Sequence, residues 1–243
     1  PLIRALVDAE WIVRREVADA LGSIPDPRVV LPLTSALRDS DQRVREQSAV
    51  ALGRTGDVRA LAPLIAALKD TDRHVRGAAV KGLSHLGSPQ AVSSLAQALA
   101  DSHPTVRTEA ASALGELGSP GITALSEALR LGPQAGGTTV AGVLANAGPE
   151  GRDALLTALQ SQDANARFNA AEILTLVQDD RVTTALVEAA DRSDLDIVAA
   201  AYRFYIAQGD TSNVPMLVEA LHQHGTASMA NAYLATGSPS LRA

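Results

Sequence analysis

Four aspartates and four arginines recur on one grid: Asp8, Asp39, Asp70 and Asp101 with Arg14, Arg45, Arg76 and Arg107. Each acid precedes its base by six residues, and the pair returns every 31. Two chemistries suit that pattern. A row of guanidinium forks can take phosphates two hydrogen bonds at a time. Set beside carboxylates, the same forks instead tie neighbouring loops into a structural ladder. Four acids balance four bases, so the ladder is the expectation.

Other reactive constellations are scarce. Of the five histidines, His74, His85, His103, His222 and His224, only the last two are close in sequence. Residues two apart on a helix point about 200° from each other. They cannot share a metal there, and no third ligand is evident, so no metal site is expected. Cysteine is absent, and there is no G-x-S-x-G, no P-loop and no G-x-G-x-x-G. Covalent catalysis has no candidate. No catalytic residue and no cofactor are therefore assigned.

The elements that must position these residues follow from the same period. Val13, Val44, Val75 and Val106 are each followed by one of the arginines, and eight residues later by Leu21, Leu52, Leu83 or Leu114. The landmark continues through Leu144, Leu174, Tyr205 and Tyr233. Self-similarity at this length means stacked supersecondary units. Each unit reads as two antiparallel helices. The first runs roughly over 27–38, with Val30, Leu33, Ala36 and Leu37 at helical spacing. Asp26, Asp57, Ser88, Ser119 and Asp210 stand where N-caps belong, and Pro27, Pro89 and Pro120 follow at the first helical position. Pro32 and Pro63 fall deeper and are expected to bend that helix. The second helix starts after Asp41, Asp72 or Asp163, with Pro104 in the fourth unit. It ends at Gly56, Gly87, Gly118, Gly148, Gly209 or Gly237. Counting the valine as zero, positions 0, 4, 7 and 8 form its apolar stripe.

The opposite stripe, at positions 2, 3, 6, 9 and 10, changes along the chain. Early units carry charge there, as at Arg15, Glu16, Asp19, Glu46, Gln47 and Arg54. Later ones carry small, apolar or aromatic residues, and five of the six aromatics fall after residue 165. Exposed apolar and aromatic side chains on one face mark a binding groove. The expected lining is Phe168, Asn169, Glu172, Leu176, Tyr202, Arg203 and Ile206. Trp11, at the start of the first complete second helix, either covers the end of the stack or meets a partner.

The run G-D-x-R-A-x-x-P-L-I-x-A-L-x-D-x-D-x-x-V-R at 56–76 resembles HEAT repeats, in particular the short-period PBS-lyase HEAT-like subtype. The resemblance is strong over 1–120 and weakens at 131–147, where Gly136 and Gly137 take the Val-Arg places. It implies an all-α, right-handed α-solenoid of about eight antiparallel helix pairs, whose inner helices line a concave face. Residues 1–243 then form a single solenoid domain: regular repeats over 1–120, a degenerate repeat over about 121–148, and divergent repeats over 149–243. A proline at position 1 and an interrupted last repeat point to a segment of a longer chain. Some HEAT-repeat hydroxylases hold iron with paired His-Glu dipeptides; none occurs in this chain, so that activity is not implied.

Charge narrows the partners. The net charge is −6. Residues 1–121 are balanced at 14 basic against 14 acidic side chains, while residues 122–243 carry 7 against 13. Nucleic acid is disfavoured on that balance, and no apolar run is long enough for a membrane span. With no signal peptide visible, a cytoplasmic location is expected. The leading expectation is a non-catalytic scaffold holding a protein or peptide, such as a basic or amphipathic helix, on its concave face. The alternative, from the resemblance, is a bilin-lyase-like or other chromophore-handling subunit, and nucleic-acid binding ranks last.

Overall fold

The computed structural model describes residues 2–132, 135–177, 181, 182 and 185. Among them all regular structure is helical, and no helix is long and apolar enough to cross a membrane. Two compact units divide the chain, Pro1–Ala128 and Leu129–Ala243. The boundary lies inside the degenerate repeat.

In the first unit a short α1 (Leu2–Ala5) precedes α2 (Trp11–Gly22). Three pairs follow: α3 (Val30–Ala36) with α4 (Gln42–Arg54), α5 (Leu61–Ala67) with α6 (Arg73–Leu86), and α7 (Val92–Ala98) with α8 (Pro104–Glu116). Helix α9 (Ser119–Ala128) closes the unit against α8. The second helices α2, α4, α6 and α8 pack side by side in one row. In the second unit α10 (Gly137–Asn146), α11 (Pro149–Ala158) and α12 (Ala164–Leu174) pack on one another.

The caps are set by side-chain chemistry. The Asp41 carboxylate accepts from the Arg43 N–H, and Asp72 from the N–H groups of His74 and Val75. Asp163 does the same for Ala166. Gly56, Gly87, Gly118 and Gly148 all have positive φ, at +64°, +62°, +66° and +84°, where a Cβ is disfavoured. Asp26 and Asp57 cap their units through Arg28 N–H and Arg59 N–H, whereas Ser88 makes no side-chain cap bond. Asp210, Gly209 and Gly237 lie outside the described residues.

The first helices depart from the expected single span. Each of the second to fourth repeats opens with a 3-10 turn, Pro27–Val29, Val58–Ala60 or Pro89–Ala91, before the α-helix proper. The third of these turns forms although Ser94 replaces the deeper proline, so Pro32 and Pro63 are accommodated by the break and do not cause it. The tighter turn also shifts the buried register, placing Val29, Ala60 and Ala91 in the core. Helix α9 omits the turn. A Cβ at its Gly121 would collide with the Leu114 carbonyl, and Gly151 of α11 stands in the same relation to Leu144.

The leucine landmarks form the core: Leu21, Leu52, Leu83, Leu114, Leu144 and Leu174 are buried, as are Leu33, Leu64, Leu95, Leu125 and Leu155 of the first helices. Each such burial contributes about 2 kcal/mol relative to exposure. Position 5 of the second helix is buried as well, at Ala18, Ala49, Val80, Ala111, Ala141 and Ala171. A helix covered by its first helix and flanked by neighbouring second helices buries more than one stripe. Small residues make the fit. A Cβ on Gly22 would lie 2.6 Å from the Ala51 Cα, and one on Gly53 would strike the Gly82 backbone.

Candidate binding surface

The acid–base grid forms rungs between repeats. Arg14 donates from Nε and Nη2 to the two carboxylate oxygens of Asp39, at 2.7 and 2.8 Å. Its Nη1 donates to the carbonyls of Asp8 and Ala9 in its own loop. Arg45 repeats this with Asp70 at 2.8 and 3.0 Å, and Arg76 with Asp101 at 2.7 and 2.9 Å. The carboxylate partner thus lies 25 residues ahead, in the next repeat, while the aspartate six residues back offers only its carbonyl. Arg107 holds the Asp101 and Ser102 carbonyls of its own loop. Gly132 stands where the next aspartate would be.

These rungs are largely shielded, with side chains 10–15% exposed. Hydrogen bonding to Arg14 and Arg76 holds the Asp39 and Asp101 carboxyls below the usual carboxylate range. At Asp70 burial pushes upward, but bonds from Arg45 and the Asp72 N–H outweigh it and the net direction is down. At the exposed edge, Arg28 and Arg59 lower Asp26 and Asp57 to about 2. Arg167 of α12 grips the carbonyls of Ser161 and Gln162 in the same fashion. Two further steps of 30 along the sequence from Arg107 reach Arg167.

The row of second helices carries the remaining polar groups, and they pair across repeats. Asp19 of α2 accepts from Gln47 and Arg54 of α4. Lys81 of α6 meets Glu109 of α8 at 2.9 Å, and Ser84 donates to Glu116. Two clefts open on this row. One, of about 190 Å³, is bordered by α4, α6 and α8, with Glu46, Arg73, His74, Lys81, His103 and Glu109 in its wall. The other, of about 250 Å³, lies between α6 and α8 around Ser84, His85 and Ser112. Trp11 is engaged within the stack: the Arg43 guanidinium lies 3.5 Å from its ring centroid, a cation–π contact with the next repeat.

Of the expected groove lining, Phe168 and Glu172 are half-buried on α12, and Leu176 is 79% exposed. Tyr202, Arg203 and Ile206 lie outside the described residues. Asn169 does not line a surface. It is fully buried, and its Nδ2 donates to the carbonyls of Leu129 and Leu131 at 2.8 and 2.9 Å. A polar residue at a position presumed exposed gave no sign of burial, although Gly137, which makes room for its amide, was visible in the sequence. Among the described residues no cluster of acids and histidines could hold a metal ion.

Stacked antiparallel helix pairs, joined over the first four repeats by rungs from one repeat to the next, define an α-solenoid repeat protein. The HEAT-repeat family profile matches residues 1–74 and 61–136, and the chain belongs to that family. No curated protein sequence matches it. Among solved structures it is similar to the CpcE–CpcF complex of phycocyanin lyase from Nostoc sp. PCC7120, at 20% identity over 91% of this chain and 92% of that one, with a TM-score of 0.50. Escherichia coli YibA is 21% identical over 92% and 85% of the two chains, with a TM-score of 0.49. Human deoxyhypusine hydroxylase is 20% identical over 92% and 93%, with a TM-score of 0.45.

Proposed function

We propose that this chain is a non-catalytic scaffold that holds a protein segment along its row of second helices. The observation that carries the reading is the row itself. Helices α2, α4, α6 and α8 pack in sequence, and charged and hydroxyl side chains of α4, α6 and α8 line two clefts on that row, a polar surface that suits a bound protein segment. The ladder arginines Arg14, Arg45 and Arg76 are structural in this reading, because both edges of each guanidinium are already occupied. In the second unit, taken by itself, Phe168 and Leu176 supply apolar side chains and Glu172 an acidic one on and just after α12, with Tyr202, Arg203 and Ile206 as the proposed continuation of that surface. The acidic excess of residues 122–243 favours a basic or amphipathic partner there. Likeness to the phycocyanin lyase complex is one of fold, and the chromophore-handling alternative gains no residue from it.

Photo-crosslinking tests the reading. A photoreactive amino acid at Thr108 or Ser112 on the row is expected to give protein adducts in cells, and one at Ser35 or Gln97 on the first helices is not. Equal labelling from both faces, or none from the row, overturns it. Within the second unit, Phe168→Ala combined with Ile206→Ala is expected to weaken capture of the crosslinked partner.

A further inference from the structure

Most of the large apolar side chains that the described residues leave open gather in one place. Leu2, Ile3, Val7, Ile12 and Val13 are all exposed, Val7 at 85%, on α1, the turn after it and the first turn of α2. By the 31-residue period, Leu2 and Val13 hold core places: Leu33, Leu64 and Leu95, like Val44, Val75 and Val106, are buried. Val7 and Ile12 do not. Their places belong to Arg38 and Lys69, and to Arg43 and His74, which stay exposed with a repeat stacked on either side. Stacking of repeat on repeat thus leaves these two positions in water, and covering Val7 and Ile12 takes a surface of another shape. Monomeric proteins rarely leave contiguous apolar patches open.

Charge on the same patch points to what covers it. Asp39, Asp70 and Asp101 each accept an arginine fork and the backbone N–H two residues on. Asp8 is their counterpart in the first repeat, and its exposed carboxylate accepts only the Glu10 N–H. Arg14 is spent on Asp39 and on its own loop, and Arg15 pairs with Glu16 at 3.0 Å. Arg4, exposed in the last turn of α1, makes no ion pair among the described residues. One unpaired base and one acid without its arginine therefore border a single apolar patch. A twofold axis through that patch sets each against the copy of the other, which is the self-complementarity an isologous interface requires.

We infer that this face pairs two copies of the chain about a twofold axis, with Val7 and Ile12 at its centre and Arg4 of each copy on Asp8 of the other. The face and the clefts of the row share no residue, so pairing and partner capture can fail separately.

Sedimentation equilibrium of the full chain, 25.1 kDa as a monomer, reads the pairing over a dilution series. A species of twice that mass is expected at about 100 µM and is expected to dissociate on dilution. Val7→Glu buries a charge at the centre of the interface and is expected to weaken pairing by about tenfold or more. Asp8→Arg sets like charges opposite one another and is expected to weaken it by a similar factor, about tenfold. Adding Arg4→Asp to Asp8→Arg restores the pair with its signs exchanged and is expected to recover most of that loss. All three positions are exposed, and circular dichroism melts check that each variant is folded. A folded wild-type chain that stays monomeric at about 100 µM overturns the inference. So does a dimer that Val7→Glu and Asp8→Arg leave intact, or one that the exchanged pair fails to recover.

Discussion

Asn169 does for the fifth repeat what an arginine at Gly137 would do. In a regular repeat the second-helix arginine holds the two loop carbonyls five and six residues behind it, as Arg76 holds Thr71 and Asp70. Gly137 occupies the arginine place and has no side chain. From the next second helix, Asn169 reaches back and donates to Leu131, six residues before Gly137, and to Leu129. The degenerate loop is therefore held from the following repeat, at the cost of a buried Asn169 Oδ1 that lacks a hydrogen-bond partner.

Replacing Asn169 tests this borrowed clamp. Asn169→Ala leaves the Leu129 and Leu131 carbonyls without their amide donor, which is expected to cost about 2 kcal/mol. Asn169→Asp sets a negative oxygen against two carbonyls and is expected to cost more at neutral pH. Urea denaturation followed by circular dichroism should give the order wild type, Ala, Asp. Equal stability of Asp and wild type would remove the clamp.

The ladder makes a prediction of a different kind. Arg76 spends its whole fork: Nε and Nη2 on the Asp101 carboxylate, Nη1 on two carbonyls of its own loop. Lysine preserves the charge but cannot reach both sets at once. Arg76→Lys is expected to lose about 2 kcal/mol, a Tm lower by about 4–8 °C for a chain of this length. Partner binding along the row should survive at temperatures where the variant is folded. An unchanged Tm with lost binding would make Arg76 a ligand-binding residue.

How far the sequence could be read differs between the ladder and the surface. The helix pairs, the aspartate N-caps and the glycine stops are local chemistry, and they repeat, so noise in one unit is corrected by the next. The rung partners needed one more fact. Six residues separate Asp70 from Arg76, but the stack brings Arg76 to Asp101, and which repeat a side chain leans toward is set by packing. Asn169 was illegible for the same reason. Its solvent-facing position by periodicity becomes interior only because Gly137 yields space across the helix pair. The 3-10 openings were hidden because their three residues, Pro-x-x at 27–29 and 89–91 and Val-Arg-Ala at 58–60, suit a 3-10 turn and the first turn of an α-helix equally.

Acid sensitivity follows from the same rungs. Asp39, Asp70 and Asp101 have folded pKa values below their unfolded ones, and Asp26 and Asp57 stand at about 2. For carboxyls shifted downward, the stabilisation is fully present above the unfolded value, about 3.9. It is lost as pH falls through the folded values. Stability is thus expected to hold down to about pH 4 and then drop toward pH 2. A triple variant with Asn at 39, 70 and 101 starts lower and should show a shallower decline over that window. Parallel curves for the two proteins would mean that the rungs do not carry the acid response.

Helices α4 and α6 approach closely enough that only glycine fits at their contact. Gly53 faces Gly82 across that contact, and a Cβ at Gly53 would land on the Gly82 backbone. At Gly82 a Cβ would come within 2.8 Å of the Ala49 carbonyl and 2.9 Å of a Leu64 methyl. In an isolated helix, Gly→Ala gains about 1 kcal/mol of propensity. Here the obstacle at Gly53 is main chain, which cannot rotate away as a side chain can. Separating the helices would open the seam that buries Ala49, Leu52, Ala79 and Leu83. Overpacking of this kind costs about 1–3 kcal/mol, which exceeds the propensity gain at its upper range. Gly53→Ala is therefore expected to be destabilising despite its better helix propensity. Gly142 provides the internal control: it lies in the interior of α10 with open space around its missing Cβ, so Gly142→Ala should stabilise by up to about 1 kcal/mol. Opposite signs for the two variants in thermal denaturation are the expected result. Stabilisation by both would mean that α4 and α6 can move apart without loss, and that their glycine contact does not set the spacing of the row.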